Sequence, residues 1–258
     1  LLIRNGKLRR PLVALNVITD SKNIQERKQQ GEKNLEKAAM IAASADVKVT
    51  PVSRYDLNIA SGIIHSAEEY NATNLVIGLH WKANIIDSFF GKLTEGLLKG
   101  TFREVMIARY LVPSTTIRKI HVAVPPKAEY ETGFVKWIDH VSRIASQLGC
   151  GIVFYAETET LGYVKEVAAK FSAAGLASYV EMEFWNDFYT IQENMSSSHL
   201  AVVVCARKGS ISYDNSFERL PSLLQKYLQG NSLIVLYPEQ LRPEEVHISI
   251  SDPLGHNE

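Results

Sequence analysis

One sequence pattern occurs twice in this chain, and it constrains the fold more than any other feature. An apolar run, a Ser-Phe step and a second apolar run appear in the first half and return, loosely, in the second half. Matching positions lie 127 or 128 residues apart, as from Leu75 to Val202 and from Ser88 to Ser216. A period of this length is a whole domain, so the sequence predicts two copies of one fold in a single chain. The matching stretches are residues 75–78, 88–93 and 104–107 and, in the second copy, residues 202–205, 216–220 and 232–235.

Length and composition agree with a globular chain of about two domains. The chain has 258 residues, of which 46% are hydrophobic and 22% charged, so each half has enough apolar surface to bury a core. The 28 basic and 28 acidic residues cancel, and without a basic stripe we expect no nucleic-acid partner. Cys150 and Cys205 fall beside or within apolar strand patterns, where a thiol behaves as a small hydrophobe.

Three further classes of site or segment are not predicted. The longest apolar run, residues 200–206, is far shorter than the ~20 residues of a membrane helix. The seven histidines show no metal-ligand spacing. No nucleophile elbow, Walker loop or positioned carboxylate pair occurs, so the sequence predicts no enzyme.

The second half, residues 117–242, predicts a complete doubly wound domain. Continuous apolar runs alternate with segments of helical periodicity, which is typical of a parallel sheet covered by helices on both faces. The predicted strands are residues 117–124, 151–156, 178–184, 200–205 and 232–237, and the predicted helices are residues 133–148, 162–174, 187–197 and 218–228.

The first half, residues 1–112, follows the same order but lacks the opening strand. Only residues 1–5 could be its remnant, and the chain begins without methionine. We therefore expect a piece of a longer polypeptide, with a genuinely four-stranded first lobe as the alternative. The sequence thus predicts an α/β protein of two tandem, doubly wound, mostly parallel five-stranded sheets with a truncated first lobe. Predicted strands are residues 12–18, 47–52, 75–78 and 105–111, predicted helices are residues 26–45 and 57–70, the linker is residues 112–116 and the tail is residues 243–258.

A loop that follows the third of these strands resembles a known signature. Gly78-Leu79-His80-Trp81, nine further residues and Gly91-Lys92 resemble the universal stress protein pattern Gly-x-x-Gly, nine residues, Gly-Ser/Thr. Glycines there let backbone amides approach phosphate oxygens at a helix N-terminus. The resemblance implies the universal stress protein fold and adenine nucleotide binding. The residues it implies for that role are Gly78, His80, Gly91, Lys92 and Thr94.

This chain departs from the signature at several positions. Trp81 replaces the second glycine, and Lys92 replaces the hydroxyl residue. In the second copy every signature position is changed, and Glu218 would repel a phosphate. The resemblance therefore implies an adenine nucleotide in the first lobe only, and no certain cofactor. The equivalent second-copy residues are Cys205, Lys208, Glu218 and Arg219.

A narrower similarity concerns the end of the chain. Residues 206–213, Leu220-Pro221, Lys226-Tyr227 and residues 236–240 resemble the tandem universal stress domain that forms the cytosolic C-terminal tail of bacterial cation:proton antiporters of the sodium/hydrogen exchanger family. The resemblance implies a non-enzymatic regulatory domain in monovalent cation transport and pH homeostasis. It places the domain on the cytoplasmic side of the inner membrane, with the transmembrane portion upstream in the same polypeptide as partner and a homodimer as an option. A freestanding nucleotide-binding stress protein and a small hydrolase of the same architecture stay open.

Two local interpretations follow. In this family, units commonly pair through the fifth strand, which implies that residues 105–111 join residues 232–237 and so protect two edges. Residues 207–210, Arg-Lys-Gly-Ser, could form an anion pocket or a solvated connection, and the pattern favours the connection.

Overall fold

Strands and helices alternate along the chain. The computed structural model describes residues 11–19, 24–78, 93–171 and 174–241. The strands within these ranges are β1 (Leu12–Thr19), β2 (Val49–Asp56), β3 (Asn74–Gly78), β4 (Glu104–Arg109), β5 (Lys119–Ala123), β6 (Gly151–Ala156), β7 (Ala177–Glu181), β8 (His199–Val204) and β9 (Ser232–Tyr237). The helices are α1 (Ile24–Ala43), α2 (Ile59–Glu69), α3 (Thr94–Gly100), α4 (Phe134–Leu148), α5 (Thr158–Ala168), α6 (Phe188–Glu193) and α7 (Leu220–Leu228).

Seven of these strands form one sheet, in the order β3-β4-β9-β8-β5-β6-β7. All neighbours are parallel except β4 and β9, which are antiparallel. From the central β5, the sheet extends through β6 to β7 on one side and through β8 to β9 on the other, which is a doubly wound order. The predicted α/β fold with a mostly parallel sheet is confirmed. The remaining described strands, β1 and β2, pair in parallel as a separate two-stranded sheet, so the described strands form sheets of seven and two, whereas the sequence predicts four strands in a truncated first sheet and five in the second.

By packing, the described elements divide into two compact units. The first contains β1, α1, β2, α2 and α3, and the second contains β3, β4 and every element from β5 onward. The predicted domains, residues 1–112 and 117–242, divide the chain by ancestry, which this grouping does not test. The tandem duplication therefore stays a prediction.

The antiparallel joint between β4 and β9 lies in the buried core of the second unit. Ile107 faces Val235 across the joint, and both side chains are fully buried. The predicted pairing of residues 105–111 with residues 232–237 is thus confirmed over the span of β4. The pairing gives each strand a second neighbour, so neither presents an open edge to solvent.

A buried cation fixes β4 against the end of α7. The Arg109 side chain is 6% exposed, and its Nη2 donates to the carbonyl oxygens of Leu228, Gln229 and Asn231 at 3.0, 3.1 and 2.6 Å. Carbonyls at the C-terminus of a helix lack partners within the helix and carry partial negative charge, so a cation is favoured there. Arg109 therefore satisfies the end of a helix that lies 119 residues further along the chain.

A buried polar cluster connects β3, β4 and α4. Glu104, at the start of β4, is fully buried, and its Oε1 lies 2.7 Å from His140 Nδ1 and accepts a hydrogen bond of 2.9 Å from Asn74 Nδ2. These two contacts at Oε1 offset part of the cost of burying the carboxyl group, whose Oε2 is buried without a hydrogen-bond partner, and they favour one placement of α4 on the β3–β4 pair.

Helix α4 shows why the apolar periodicity predicts a helix here. Trp137, Ile138 and Val141 recur on one face and are buried, which matches a helix packed on a sheet. Gly149 ends the helix with φ at 63°, a left-handed conformation that glycine adopts without strain.

Several predicted boundaries were wrong, among them the start of α5 and the end of β2. Helix α5 begins at Thr158 and not at residue 162, because Gly162 lies in open space on the helix surface and does not end it. Strand β2 continues to Asp56 and not to residue 52, and its exposed and half-buried residues alternate, as in a strand near a sheet edge. Pro51 has no backbone N–H to donate, and it is tolerated here because it is exposed on an edge strand of the two-stranded sheet.

No helix among the described residues is both long enough and apolar enough to span a membrane.

Candidate functional site

The crevice at the carboxyl ends of β5 and β8 is the candidate site of the second unit. The winding direction of the sheet reverses between these neighbouring strands, and doubly wound proteins bind ligands at such a switch point. The segment after β5, residues 124–133, and the segment after β8, residues 205–219, both begin there.

A buried carboxylate closes this crevice from within. Glu131, in the segment after β5, is 7% exposed. Its Oε1 accepts hydrogen bonds from Ser212 N at 2.9 Å and from Ser212 Oγ at 2.5 Å, and its Oε2 accepts one of 2.7 Å from Gln240 Nε2. Burial alone would raise the pKa of the Glu131 carboxyl, but the hydrogen bonds from Ser212 and Gln240 outweigh burial and hold the pKa below its usual value. The group is therefore an anion at neutral pH.

The segment after β8 begins with a buried cation. Arg207 is 8% exposed, and its Nη2 donates to the carbonyl oxygen of Arg103 at 2.6 Å. Burial lowers the pKa of Arg207 to about 10, although the charges of Tyr237 and Glu131 act in the opposite direction. Gly209 has φ at 90°, which few other residues adopt. The predicted solvated connection is thus wrong for Arg207, and the geometry gives this cation a structural role in place of an open anion pocket.

The next two signature positions of the second copy pair with each other. Lys208 Nζ lies 3.3 Å from Glu218 Oε1, and both side chains are mostly exposed. An exposed ion pair of this kind contributes little stability, but it neutralises the positive charge that a phosphate would need.

Aromatic side chains fill the neighbouring part of the crevice. The rings of Trp185 and Phe217 have centroids 4.5 Å apart, and Tyr213 lies 5.7 Å from Phe217. Beside them, burial and the nearby Asp214 raise the pKa of the Glu157 carboxyl. A ribose or a triphosphate would have to displace rings and approach carboxylates here, so the second-half crevice is unsuited to a nucleotide.

An open depression adjoins the carboxyl ends of β6 and β7. It encloses ≈ 570 Å³ and is lined by Glu157, Glu159, Glu181 and Glu183, together with Thr158 and Met182. Four carboxylates disfavour anions. Yet among the described residues no group of three or more His, Cys, Asp or Glu side chains is placed to bind a metal ion.

The first unit has its own depression at the carboxyl ends of β1 and β2. It encloses ≈ 540 Å³, with Ile18, Tyr55, Asp56 and Leu57 among its lining residues. Asp56 Oδ2 lies 2.8 Å from His65 Nδ1, and this hydrogen bond lowers the pKa of the Asp56 carboxyl. Because the Asp56 carboxylate is already paired with His65, it is not available to a ligand, and the other lining residues named here are mainly apolar.

The sequence-predicted nucleotide residues are only partly described. His80, Gly91 and Lys92 lie outside the described residues. Gly78 ends β3, and a Cβ added there would meet nothing within 4 Å. Thr94 begins α3 with 2% of its surface exposed. Gly78 and Thr94 belong to different compact units, and the nucleotide loop stays a prediction.

A chain of hydrogen bonds also crosses the sheet beneath the crevice. Ser196 N donates to His199 Nδ1 at 3.2 Å, so that nitrogen carries no proton. His121 Nε2 must then donate to it at 3.1 Å, and His121 Nδ1 accepts from Tyr155 Oη at 2.9 Å. Burial, aided by the charges of His199 and Lys119, lowers the pKa of His121 to about 4, so the buried imidazole is neutral.

Sequence reasoning missed the residues that close the crevice. Glu131 is separated from Ser212 by 81 residues and from Gln240 by 109, and no motif joins them. His121 and His199 lie 78 residues apart within apolar runs. Only the parallel register, which pairs Lys119 with His199, brings these two side chains to one face of the sheet.

Comparisons with known proteins bear on the fold. No family model matches the chain, and no curated protein matches it. A universal stress protein from Archaeoglobus fulgidus is similar in structure, with TM-score 0.60 and 15% identity, covering 89% of this chain and 86% of that chain. A putative universal stress protein from Pseudomonas aeruginosa has TM-score 0.54 and 13% identity, covering 90% of this chain and 95% of that chain.

A third structure is more distant. The cytoplasmic domain of a prokaryotic cation chloride cotransporter has TM-score 0.49 and 12% identity, covering 89% of this chain and 88% of that chain. A similarity at that level carries no argument about function. The first two structures and the strand order agree, and the chain has the α/β fold of universal stress proteins.

Proposed function

We propose that this chain is a non-enzymatic regulatory module of a bacterial membrane cation:proton antiporter, acting on the cytoplasmic side of the inner membrane. Its role would be to report a ligand or partner to the membrane portion of the same polypeptide. The similarity of residues 206–213 and 236–240 to antiporter tails motivates the transporter context.

The filled crevice is the observation that carries the non-enzymatic part of the proposal. The position at which this fold binds a ligand is occupied in the second half by Glu131 and its donors Ser212 and Gln240. A site filled by the protein's own groups favours a scaffold over a catalyst. The property that matters for function would then be shape, since fold alone does not imply an activity.

The mechanism would be a shift between arrangements of the module. A ligand or partner that binds one arrangement more tightly shifts the equilibrium by the difference in its two affinities. The joint between β4 and β9 supports this idea, because it makes strands from both halves of the chain parts of one sheet.

The gene gives the decisive test. We expect the reading frame upstream of the Leu1 codon to encode about a dozen apolar segments, each of ~20 residues. Cation-dependent proton flux in inverted vesicles should then change when the codons for residues 1–258 are deleted. A start codon a few tens of residues upstream, with no membrane span, would eliminate the proposal.

A nucleotide-binding stress protein is the second candidate function, and Gly78 favours it. Neither a positive φ nor crowding requires glycine at the end of β3, so the residue fits a close approach of a ligand to the backbone. Calorimetric titration with ATP should give micromolar binding that Lys92→Ala weakens and Lys208→Ala does not. Absence of heat with either ATP or AMP would exclude this candidate.

A further inference from the structure

We propose that the second-half crevice is a small-oxyanion site whose resident ligand is the protein's own Glu131 carboxylate, and that it binds a free carboxylate or phosphate once that side chain is removed. The inference goes beyond the regulatory function and does not depend on the antiporter context.

The donors that bind Glu131 come from other parts of the chain. Ser212 supplies its backbone N–H and its hydroxyl from the segment after β8, and Gln240 supplies its amide from the segment after β9. Three donors thus converge on one carboxylate, and an external formate or phosphate has the acceptor oxygens to bind the same donors. Because none of them belongs to the segment that carries Glu131, removing this side chain leaves the donors attached to the sheet.

A buried positive charge lies within electrostatic reach of the site. The charge of Glu131 raises the pKa of Arg207 against the effect of burial, which indicates that the two groups interact. The guanidinium also donates a hydrogen bond of 2.6 Å to the Arg103 carbonyl, so Glu131 does not supply its only contact. A preformed cation with neutral donors around it is the arrangement that binds oxyanions.

The segment carrying Glu131 is held tightly against the crevice. Lys127 is in the left-handed region at φ 63°, which is uncommon for a residue with a side chain. At Gly133, a Cβ would lie 2.6 Å from the backbone nitrogen of Glu239. These constraints restrict the backbone on both sides of Glu131, which agrees with a carboxylate held at one position by Ser212 and Gln240.

Size determines which oxyanions fit. Removing the Glu131 side chain beyond Cβ vacates the space of one carboxylate group between the donors of Ser212 and Gln240. We therefore expect formate, acetate and inorganic phosphate to bind, and ATP to bind no more tightly than phosphate.

Chemical rescue of Glu131→Ala tests the proposal. The variant should unfold at a lower temperature than wild type, and formate, acetate or phosphate should raise its midpoint by about 3 °C at ten times the dissociation constant. Sodium chloride at equal ionic strength should have no such effect. Glu131→Ala/Ser212→Ala, which lacks the hydroxyl donor, should show a weaker rescue, and Glu159→Ala, on the exposed start of α5, should neither lower the midpoint nor respond to formate.

Two outcomes would overturn the proposal. The first is a folded Glu131→Ala variant whose midpoint responds to the three oxyanions no more than to chloride. If Glu131→Ala does not fold, the neutral variant Glu131→Gln replaces it. The second outcome is then a thermal midpoint of Glu131→Gln equal to that of wild type, since the negative charge would have no role. Because both readings use the isolated chain, they are independent of whether a transporter lies upstream.

Discussion

Replacing Arg109 by methionine tests whether a buried cation holds the joint between β4 and β9. Nη2 of Arg109 contacts three carbonyl oxygens, those of Leu228, Gln229 and Asn231. One nitrogen carries two hydrogens, so two of these contacts are strong at a time, each contributing about 1.5–3 kcal/mol as a charge-assisted hydrogen bond. Burial opposes the charge and lowers the pKa of Arg109. Methionine keeps the apolar stem without that penalty, so we expect a net loss of about 2–4 kcal/mol.

Arg143→Met is the matched control for this prediction. Arg143 also makes short contacts, of 2.8 and 2.6 Å to Asp139, but on the partly exposed surface of α4. An i,i+4 pair of this kind contributes about 0.3–0.5 kcal/mol. Urea unfolding followed by the fluorescence of the buried Trp137 and Trp185 would measure both variants. Equal losses in the two variants, or a loss below about 1 kcal/mol for Arg109→Met, would refute the reasoning.

Three further predictions concern other buried contacts. The pKa of His121 is about 4 in the folded chain and 6.5 when unfolded, so the unfolded chain binds more protons between these pH values. Stability should therefore fall by about 2–3 kcal/mol as the pH drops from 6.5 to 4. His121→Phe should make the urea midpoint less dependent on pH over that range. His140→Ala removes the imidazole 2.7 Å from the buried Glu104 side chain and should lower the free energy of unfolding by about 2–4 kcal/mol. A double-mutant cycle with Glu104→Gln should give a coupling energy above about 1 kcal/mol, and a coupling near zero would contradict the prediction. Gly133→Ala would bring a Cβ within 2.6 Å of Glu239 N and should lower the thermal midpoint, whereas Gly162→Ala, with open space around it, should raise it slightly.

Two strands of the second half could be predicted to the residue because each is a nearly continuous apolar run. Residues 151–156 and 232–237 match β6 and β9 at both ends, since strands buried on both faces carry no polar residue that blurs their limits. The start of α5 was missed because Gly162 resembles a boundary in sequence, although it is an exposed helical position. Local patterns therefore give the elements, but a glycine inside an element can mimic its end.

The candidate site was much harder to predict than the fold. The sequence directs attention to the loop after β8, and the structure finds that loop occupied by Glu131 from the segment after β5. Nothing near Glu131 in sequence marks it, because its role arises from partners 81 and 109 residues away. The antiparallel joint of β4 with β9 could be anticipated only through the family resemblance, since hydrophobicity alone does not say which two strands pair.

The joint also determines what a severed chain would do. Because β4 obtains its second neighbour, β9, from the far end of the polypeptide, a cut in the stretch between β4 and β5 would separate the two strands. Each fragment would then have a newly unpaired strand edge, at β4 in one and at β9 in the other. Such fragments should aggregate when kept apart and recombine when mixed, each supplying the edge that the other lacks. The same feature makes the chain a natural split reporter, in which fragment complementation reads out whether two fused proteins meet.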